Sequence, residues 1–175
     1  MSIQKKIDEQ VENENQKIGV ICLTAETGSV QLKENIRLTL RECNDITCDS
    51  NDGGNELNLV KCDSVTISDW KEGILRFEDC DEIKEITCSE KSELHVAGSK
   101  IKKLDLTKTK AILIDCEIEE GKFEKCEITS VKNQYKSDVE ITGGRFFSEK
   151  DEFKAKCEIS EQAVCNNFKP EFKDA

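Results

Sequence analysis

The chain has 175 residues, of which 37 are acidic and 26 are basic, so its net charge is −11 at neutral pH. A field of that sign repels duplex nucleic acid and anionic membrane surfaces, which argues against both as partners. No apolar run approaches the roughly 20 residues of a membrane span, and the first residues lack the apolar stretch of a secretory signal. The composition therefore predicts one cytoplasmic domain with no nucleic-acid partner and no membrane span.

The chain begins with a polar segment, residues 1–17, which we expect to form an arm outside the folded domain. From residue 18 onward, apolar residues recur two positions apart, as in strands with one buried face. Each repeat contains two such pairs. The first pairs of the repeats are Leu38–Leu40, Leu57–Leu59, Leu75–Phe77, Leu94–Val96 and Ile112–Ile114. The second pairs are Ile46–Cys48, Val65–Ile67, Ile86–Cys88 and Leu104–Leu106. We therefore predict two strands in each repeat.

The repeat has a period of 18–19 residues, and no helical pattern interrupts it. Such a period indicates a solenoid of parallel strands whose coils stack at about 4.8 Å. We predict an all-β fold, a right-handed parallel β-helix of about six coils over residues 18–150. A leucine-rich repeat fold is the alternative, although its repeats are longer, at about 20–29 residues, and contain a helical segment.

A small residue follows each first strand, and most of these residues are cysteines. They are Cys43, Cys62, Cys80, Ser99 and Cys116, whose sequence numbers rise at nearly even intervals, the last interval being the shortest. A narrow corner between two strands has room for Cys or Ser, whereas Leu would overpack it. We expect a packed corner column of free thiols, with redox or metal chemistry as the alternative. Zinc sites usually contain two cysteines separated by two to four residues. The two cysteines nearest to each other in the sequence are Cys43 and Cys48, and their positions follow the strand repeat. We therefore predict no metal and no cofactor.

The sequence offers little for catalysis. Its single histidine, His95, lies between two apolar residues that we predict to face inward, so His95 should face solvent. No nucleophile, phosphate-binding or dinucleotide-binding motif accompanies it. We therefore expect a protein that is not an enzyme. The alternative is an exported β-helix polysaccharide lyase or hydrolase, which would need a carboxylate cluster and long groove-forming loops.

Residues 151–175 contain a further apolar alternation, which we interpret as a strand outside the coil rhythm. Phe153, Ala155, Cys157 and Ile159 share one face of this predicted strand within residues 152–162. An uncovered solenoid end exposes a strand edge and an apolar face. The strand could cover its own end of the solenoid or cross to a second subunit. We predict that these four residues form a dimerisation strand, which makes the protein a homodimer.

One stretch is similar to a known family. "KCEITSVKNQYKSDVEITGGRFF", residues 125–147, resembles the closing turns of the C-terminal β-helix domain of cyclase-associated proteins. "LDLTKTKAILIDCEI", residues 104–118, and "VENENQ", residues 11–16, are similar as well. The resemblance covers about residues 11–160 and is to the short, single-domain type found in apicomplexan parasites.

The resemblance implies a cytoskeleton-associated regulator that binds monomeric actin, prefers its ADP form and promotes nucleotide exchange. The related tubulin-binding cofactor C domains use an arginine in a Gln-x-Arg context. None of the chain's arginines has Gln two residues before it; they are Arg37, Arg41, Arg76 and Arg145. A cofactor C-like module and a self-assembling structural solenoid remain the alternatives.

Basic residues on the outer surface are the candidates for actin contact, because the exposed surface of actin is largely acidic. Strand alternation predicts that Arg76, His95 and Lys103 point outward, with Lys71 and Lys102 in nearby turns. We predict these five residues as the actin-facing set.

Overall fold

The computed structural model describes residues 2–13, 19–33, 35–51, 53–160 and 162–166. Within these ranges it contains one helix and 17 strands. The helix is α1, Ile3–Asn13. The strands are β1 Gly19–Thr24, β2 Gly28–Leu32, β3 Ile36–Arg41, β4 Ile46–Asn51, β5 Glu56–Val60, β6 Val65–Lys71, β7 Ile74–Glu78, β8 Ile83–Ser89, β9 Glu93–Ala97, β10 Lys100–Thr107, β11 Lys110–Ile114, β12 Glu117–Val131, β13 Gln134–Tyr135, β14 Val139–Glu149, β15 Glu152–Phe153, β16 Cys157–Ile159 and β17 Ala163–Asn166.

The strands stack in two parallel ladders, as the repeat requires. The odd ladder runs through β1, β3, β5, β7, β9 and β11, then residues 127–131 of β12, residues 144–149 of β14, and β17. The even ladder runs through β2, β4, β6, β8 and β10, then the first parts of β12 and β14, and β16. The predicted parallel β-solenoid is therefore confirmed, with about eight turns against the predicted six.

The inward residues of both ladders form one buried core. Every predicted pair from Leu38–Leu40 to Leu94–Val96 is buried, and so are the predicted pairs of the even ladder. The prediction is wrong at Ile112–Ile114. In β11 the buried residues are Ala111 and Leu113, while Ile112 and Ile114 point outward and are 38% and 42% exposed.

This difference has a clear origin in the register. The apolar pairs predict that Ile112 stacks on Leu94, whereas in the structure Leu94 pairs with Ala111. The coil is therefore one residue shorter than the pattern suggests. A strand side chain changes face with every residue, so shortening the coil by one exchanges the inner and outer sets.

The corner column forms as predicted. Its five predicted members are all buried, and the column continues into Asn133 and Asp151. The thiols donate to backbone oxygens of the preceding coil, with Cys62 Sγ 3.5 Å from Leu40 O and Cys80 Sγ 3.6 Å from Leu59 O. None of the ten cysteines forms a disulfide bond. The column is therefore a structural feature of the corner.

Each corner also contains a residue in the left-handed backbone region. Lys61 and Asp79 both have φ of 52°, and their N–H groups donate to Glu78 and Ala97 of the next coil. The left-handed conformation turns the chain sharply. The turn therefore keeps the inter-coil hydrogen bonds unbroken between the two ladders.

Both ends differ from the sequence-based prediction. In place of an arm outside the domain, residues 3–13 form α1, which buries Ile3 and Ile7. The predicted single strand within residues 152–162 is instead two short strands in the coil rhythm. Strand β15 pairs with β13 and β16 pairs with β14, in parallel and in the order of the earlier coils. This segment therefore continues the solenoid.

Candidate protein-binding surface

The outer face of the odd ladder changes character along the solenoid. Its central outer column places one residue of each strand in line: Thr39, Asn58, Arg76, His95, Ile112, Thr129, Phe147 and Asn166. The neighbouring outer column places Ile114 beside Val131. The central outer column is therefore polar from Thr39 to His95 and contains large apolar residues, Ile112 and Phe147, from β11 onward.

Ile112, Ile114, Val131 and Phe147 form what we call the apolar strip. Ile112 and Ile114 are more than one-third exposed, and the other two are half-buried. A shallow groove of about 360 Å³ runs along Ile112, Thr129 and Phe147, and charged side chains line it as well, among them Lys110, Glu127 and Arg145. Large apolar residues grouped on an outer sheet face are a feature of protein-binding sites.

The strip was missed from the sequence because β11 is apolar at four successive positions. In "AILI", residues 111–114, alternation alone does not tell which residues face inward. The corner column could have done so. The step from Ser99 to Cys116 equals the step from Leu94 to Ala111, and it falls one short of the step from Leu94 to Ile112.

The structure divides the five predicted actin-facing residues between the two ladders. Arg76 and His95 are neighbours in the central outer column of the odd ladder. Lys71 ends β6, and Lys102 and Lys103 lie in β10, so these three belong to the even ladder. The two ladders enclose the core and face different directions, so no single flat face contains all five.

Each of these five side chains has a nearby carboxylate. His95 Nε2 lies 2.8 Å from Glu93 Oε1, and Arg76 pairs with Glu56. In the even ladder Lys71 pairs with Asp69, Lys102 with Glu82 and Lys103 with Glu85. Hydrogen bonds to these carboxylates raise the pKa of all three lysine ammonium groups. Their positive charges are thus locally balanced, which leaves apolar contact as the distinctive property of the odd outer face.

The four predicted dimer residues occupy the last coils. Phe153 lies in the core and stacks on Tyr135, with ring centroids 4.7 Å apart. Ala155 and Cys157 are half-buried, and burial raises the pKa of the Cys157 thiol to about 12. Ile159 is 39% exposed. Phe153 therefore belongs to the chain's own core, whereas Ile159 remains accessible at the C-terminal end.

A buried polar network lies beneath these last coils. Tyr135 Oη lies 2.7 Å from Ser130 Oγ, and Ser130 Oγ accepts from Asn133 Nδ2 at 2.8 Å. Asp151 accepts from the Asn133 N–H at 2.8 Å and from Ser148 Oγ at 2.6 Å. Desolvation raises the pKa of the Asp151 carboxyl, against the effect of these hydrogen bonds. Its members are buried and bond to one another, so the network is part of the core of the last coils.

The even ladder has a larger groove, of about 740 Å³, but a different surface. Charged residues of both signs line it, among them Lys103, Asp105, Lys122 and Glu140. The described residues contain no group of three or more His, Cys, Asp or Glu side chains that could hold a metal ion. No helix in the described ranges is long and apolar enough to cross a membrane.

Comparison with known proteins gives no match: no family model, no curated protein and no solved structure matches the chain. The β-solenoid is established by strand pairing and burial alone. The resemblance to cyclase-associated proteins stays a prediction from residues 11–16, 104–118 and 125–147, and residues 14–16 lie outside the described residues.

Proposed function

We propose that this protein is a cytoplasmic, cytoskeleton-associated regulator that binds monomeric actin through the outer face of the odd ladder. The observation that carries the proposal is the apolar strip on that face. The two segments that resemble cyclase-associated proteins supply all four strip residues. Ile112 and Ile114 lie in residues 104–118, and Val131 and Phe147 lie in residues 125–147.

The strip suits a protein partner better than a small ligand. It is an open surface on a ladder of parallel strands, and a partner that covers it removes apolar area from water. Burial of an exposed Ile or Phe side chain contributes up to about 1.5–3 kcal/mol. Arg76 and His95 continue the same outer column toward the N-terminus and provide polar contacts at the edge of the strip.

The proposed mechanism uses the rigidity of the solenoid. A fixed face that fits the open, nucleotide-releasing form of actin better than the closed form shifts actin toward opening. A tenfold faster release needs about 1.4 kcal/mol of preference at the barrier. The protein should therefore favour ADP-actin over ATP-actin and accelerate nucleotide exchange without making or breaking a covalent bond.

Release of a fluorescent nucleotide from actin tests this proposal. The unmodified protein should accelerate release from ADP-actin more than from ATP-actin. Arg76→Glu combined with His95→Glu should reduce the acceleration, because both changes lie beside the strip. Lys102→Glu combined with Lys103→Glu is the matched control on the even ladder and should leave it unchanged. An unmodified protein that neither binds nor accelerates release at tens of micromolar would refute the proposal.

Self-association is a second proposed property, favoured by the exposed Ile159 in the last coil. In the described ranges, β16 and β17 each pair with β14 on one side, and no strand pairs with their other side. A second copy pairing with this edge would form the homodimer. Ile159→Lys should then give a monomer by light scattering, whereas an unmodified chain that is monomeric at micromolar concentration would exclude the dimer.

A further inference from the structure

Helix α1 lies against the first strands, where a preceding coil would otherwise stack. Ile3 and Ile7 are each 1% exposed, and α1 contacts both β1 and β2. Ile3 packs against Gly28, at the start of β2. The helix therefore covers the N-terminal end of the apolar core, in the place where the adjacent coil covers each internal coil.

The side chain of Gln4 also satisfies part of the strand edge. Gln31 N–H donates to Gln4 Oε1 at 2.8 Å, and Gln4 Nε2 donates to Gln31 O at 3.2 Å. One side-chain amide thus replaces the two backbone groups that a neighbouring strand would offer to this residue of β2. Lys6 adds an ion pair with Glu26, in the turn between β1 and β2.

The opposite end has the complementary features. Ile159 of β16 stacks on the buried Ile141 and is 39% exposed, whereas Val164 of β17 stacks on the outward Arg145. Every coil in the solenoid stacks on the next through the same parallel pairing. Within the described residues no further coil covers this end. Such an end is shaped to accept another coil of this chain, and unprotected edges are a general hazard of sheet proteins.

We propose that α1 is a blocking cap, and that displacing it opens the N-terminal coil to a second copy of this chain. The solenoid then has two ends that can pair with another copy, in place of one, and assembly has no fixed size. The second copy is the favoured partner because its coils have the same strand spacing and the same apolar inner columns as the surface that α1 covers. With the cap in place, association stops at the size that the C-terminal end allows.

Sedimentation velocity of full-length variants tests the cap. Ile3→Asp with Ile7→Asp should lift the helix and give species that grow with protein concentration beyond those of the unmodified chain. Ser2→Asp with Gln10→Asp is the control, because it adds the same charge at two exposed positions. Gln10 lies in α1 and Ser2 directly precedes it. The control should sediment like the unmodified chain, and circular dichroism should show the β-fold in all variants.

A third substitution separates specific stacking from general aggregation. Adding Ile159→Lys to the Ile3 and Ile7 variant should limit assembly to a dimer at most. Growth that persists with Ile159→Lys would contradict the proposal. So would a folded Ile3 and Ile7 variant that sediments like the unmodified chain.

A milder variant covers the case in which the double change unfolds the protein. Gln4→Ala with Lys6→Ala removes the polar contacts of the cap and leaves its apolar contacts in place. This variant should show the same concentration-dependent growth to a smaller extent. If the variant is folded and shows no such growth, the proposal is overturned. Actin binding is measured on the monomeric fraction, so its failure is separable from failure of the cap.

Discussion

The upstream half of the solenoid, residues 19–107, and the downstream half, residues 108–166, share one backbone repeat but differ in what fills it. The upstream corner contains cysteines and one serine, and the central outer column is polar from Thr39 to His95. The downstream corner contains Asn133 and Asp151 after Cys116, and its outer column begins with Ile112. All three close aromatic ring pairs found in the described residues are downstream, including Phe123 with Phe146 at 5.9 Å.

Pairing and burial fix the coil, while the outer residues are free to differ between the two halves. Both halves keep the inward columns apolar and the inter-coil pairing parallel. Among the described residues, the large apolar side chains that are more than one-third exposed all lie downstream, beginning with Ile112 and Ile114 in the shortened coil. This exposure serves neither pairing nor burial, and the proposed binding of a partner rests on it.

The largest expected effect tests the downstream register directly. Leu113→Ala removes a fully buried side chain and should destabilise the protein by about 2–5 kcal/mol. Ile114→Ala, one residue away on the outer face, should change stability by less than about 0.5 kcal/mol. Urea unfolding measures both. A reversed order would mean that β11 has the phase that the sequence alone suggests.

The bend in β14 gives the next largest effect. Gly143 and Gly144 have φ of 69° and 81°. A Cβ on Gly144 would overlap the carbonyl oxygen of Cys126, whereas a Cβ on Gly143 would meet Lys125 Cγ at 3.5 Å. Gly143→Ala should cost about 1–2 kcal/mol from the left-handed backbone, and Gly144→Ala should cost more. Equal midpoints in urea would show that the bend relaxes more easily than its geometry implies.

The downstream corner predicts a pH-dependent effect. Burial raises the pKa of Asp151, so the folded protein binds this proton more tightly than the unfolded chain. Its favourable contribution is present at acid pH and is lost as pH rises through the folded-state pKa. Asp151→Asn imitates Asn133 one coil earlier and should stabilise the protein at pH 8 but not at pH 3. Thermal melts across this range would contradict the account if the stability difference did not change.

The upstream corner predicts the smallest effect. Cys80→Ser keeps a small donor where Ser99 is already accommodated in the next coil, so stability should fall by less than about 1 kcal/mol. Cys80→Leu is the matched oversize change and should cost about 1–3 kcal/mol by overpacking. Similar urea midpoints for the two variants would show that the corner has more room than the column implies.

Much of the fold could be predicted because the residues that produce it recur at a regular spacing along the sequence. The two strands per coil and the corner column follow from short alternations and a fixed spacing. The phase of β11 could not be found by alternation, since Ile112, Leu113 and Ile114 are all apolar. Helix α1 was missed because Ile3, Ile7 and Val11 are its only large apolar residues within an otherwise polar segment.

The candidate site was predicted only in part. Arg76 and His95 point outward, as their alternation with buried neighbours indicates. The apolar strip was not predicted, since an outward isoleucine has the same chemistry as an inward one. The rhythm of the last coils was obscured by the short strands β13, β15 and β16, which contain only two or three residues each.

Titration of fluorescently labelled ADP-actin with the unmodified protein and with the Ile112→Asp, Ile114→Asp variant tests the central claim most directly. Both changes lie on the outer face, so the variant should keep the melting temperature of the unmodified protein. We expect the unmodified protein to bind and the folded variant to bind at least tenfold more weakly, a loss of about 1.4 kcal/mol or more. Equal affinity of the two proteins would contradict the assignment of the apolar strip as the actin-binding surface.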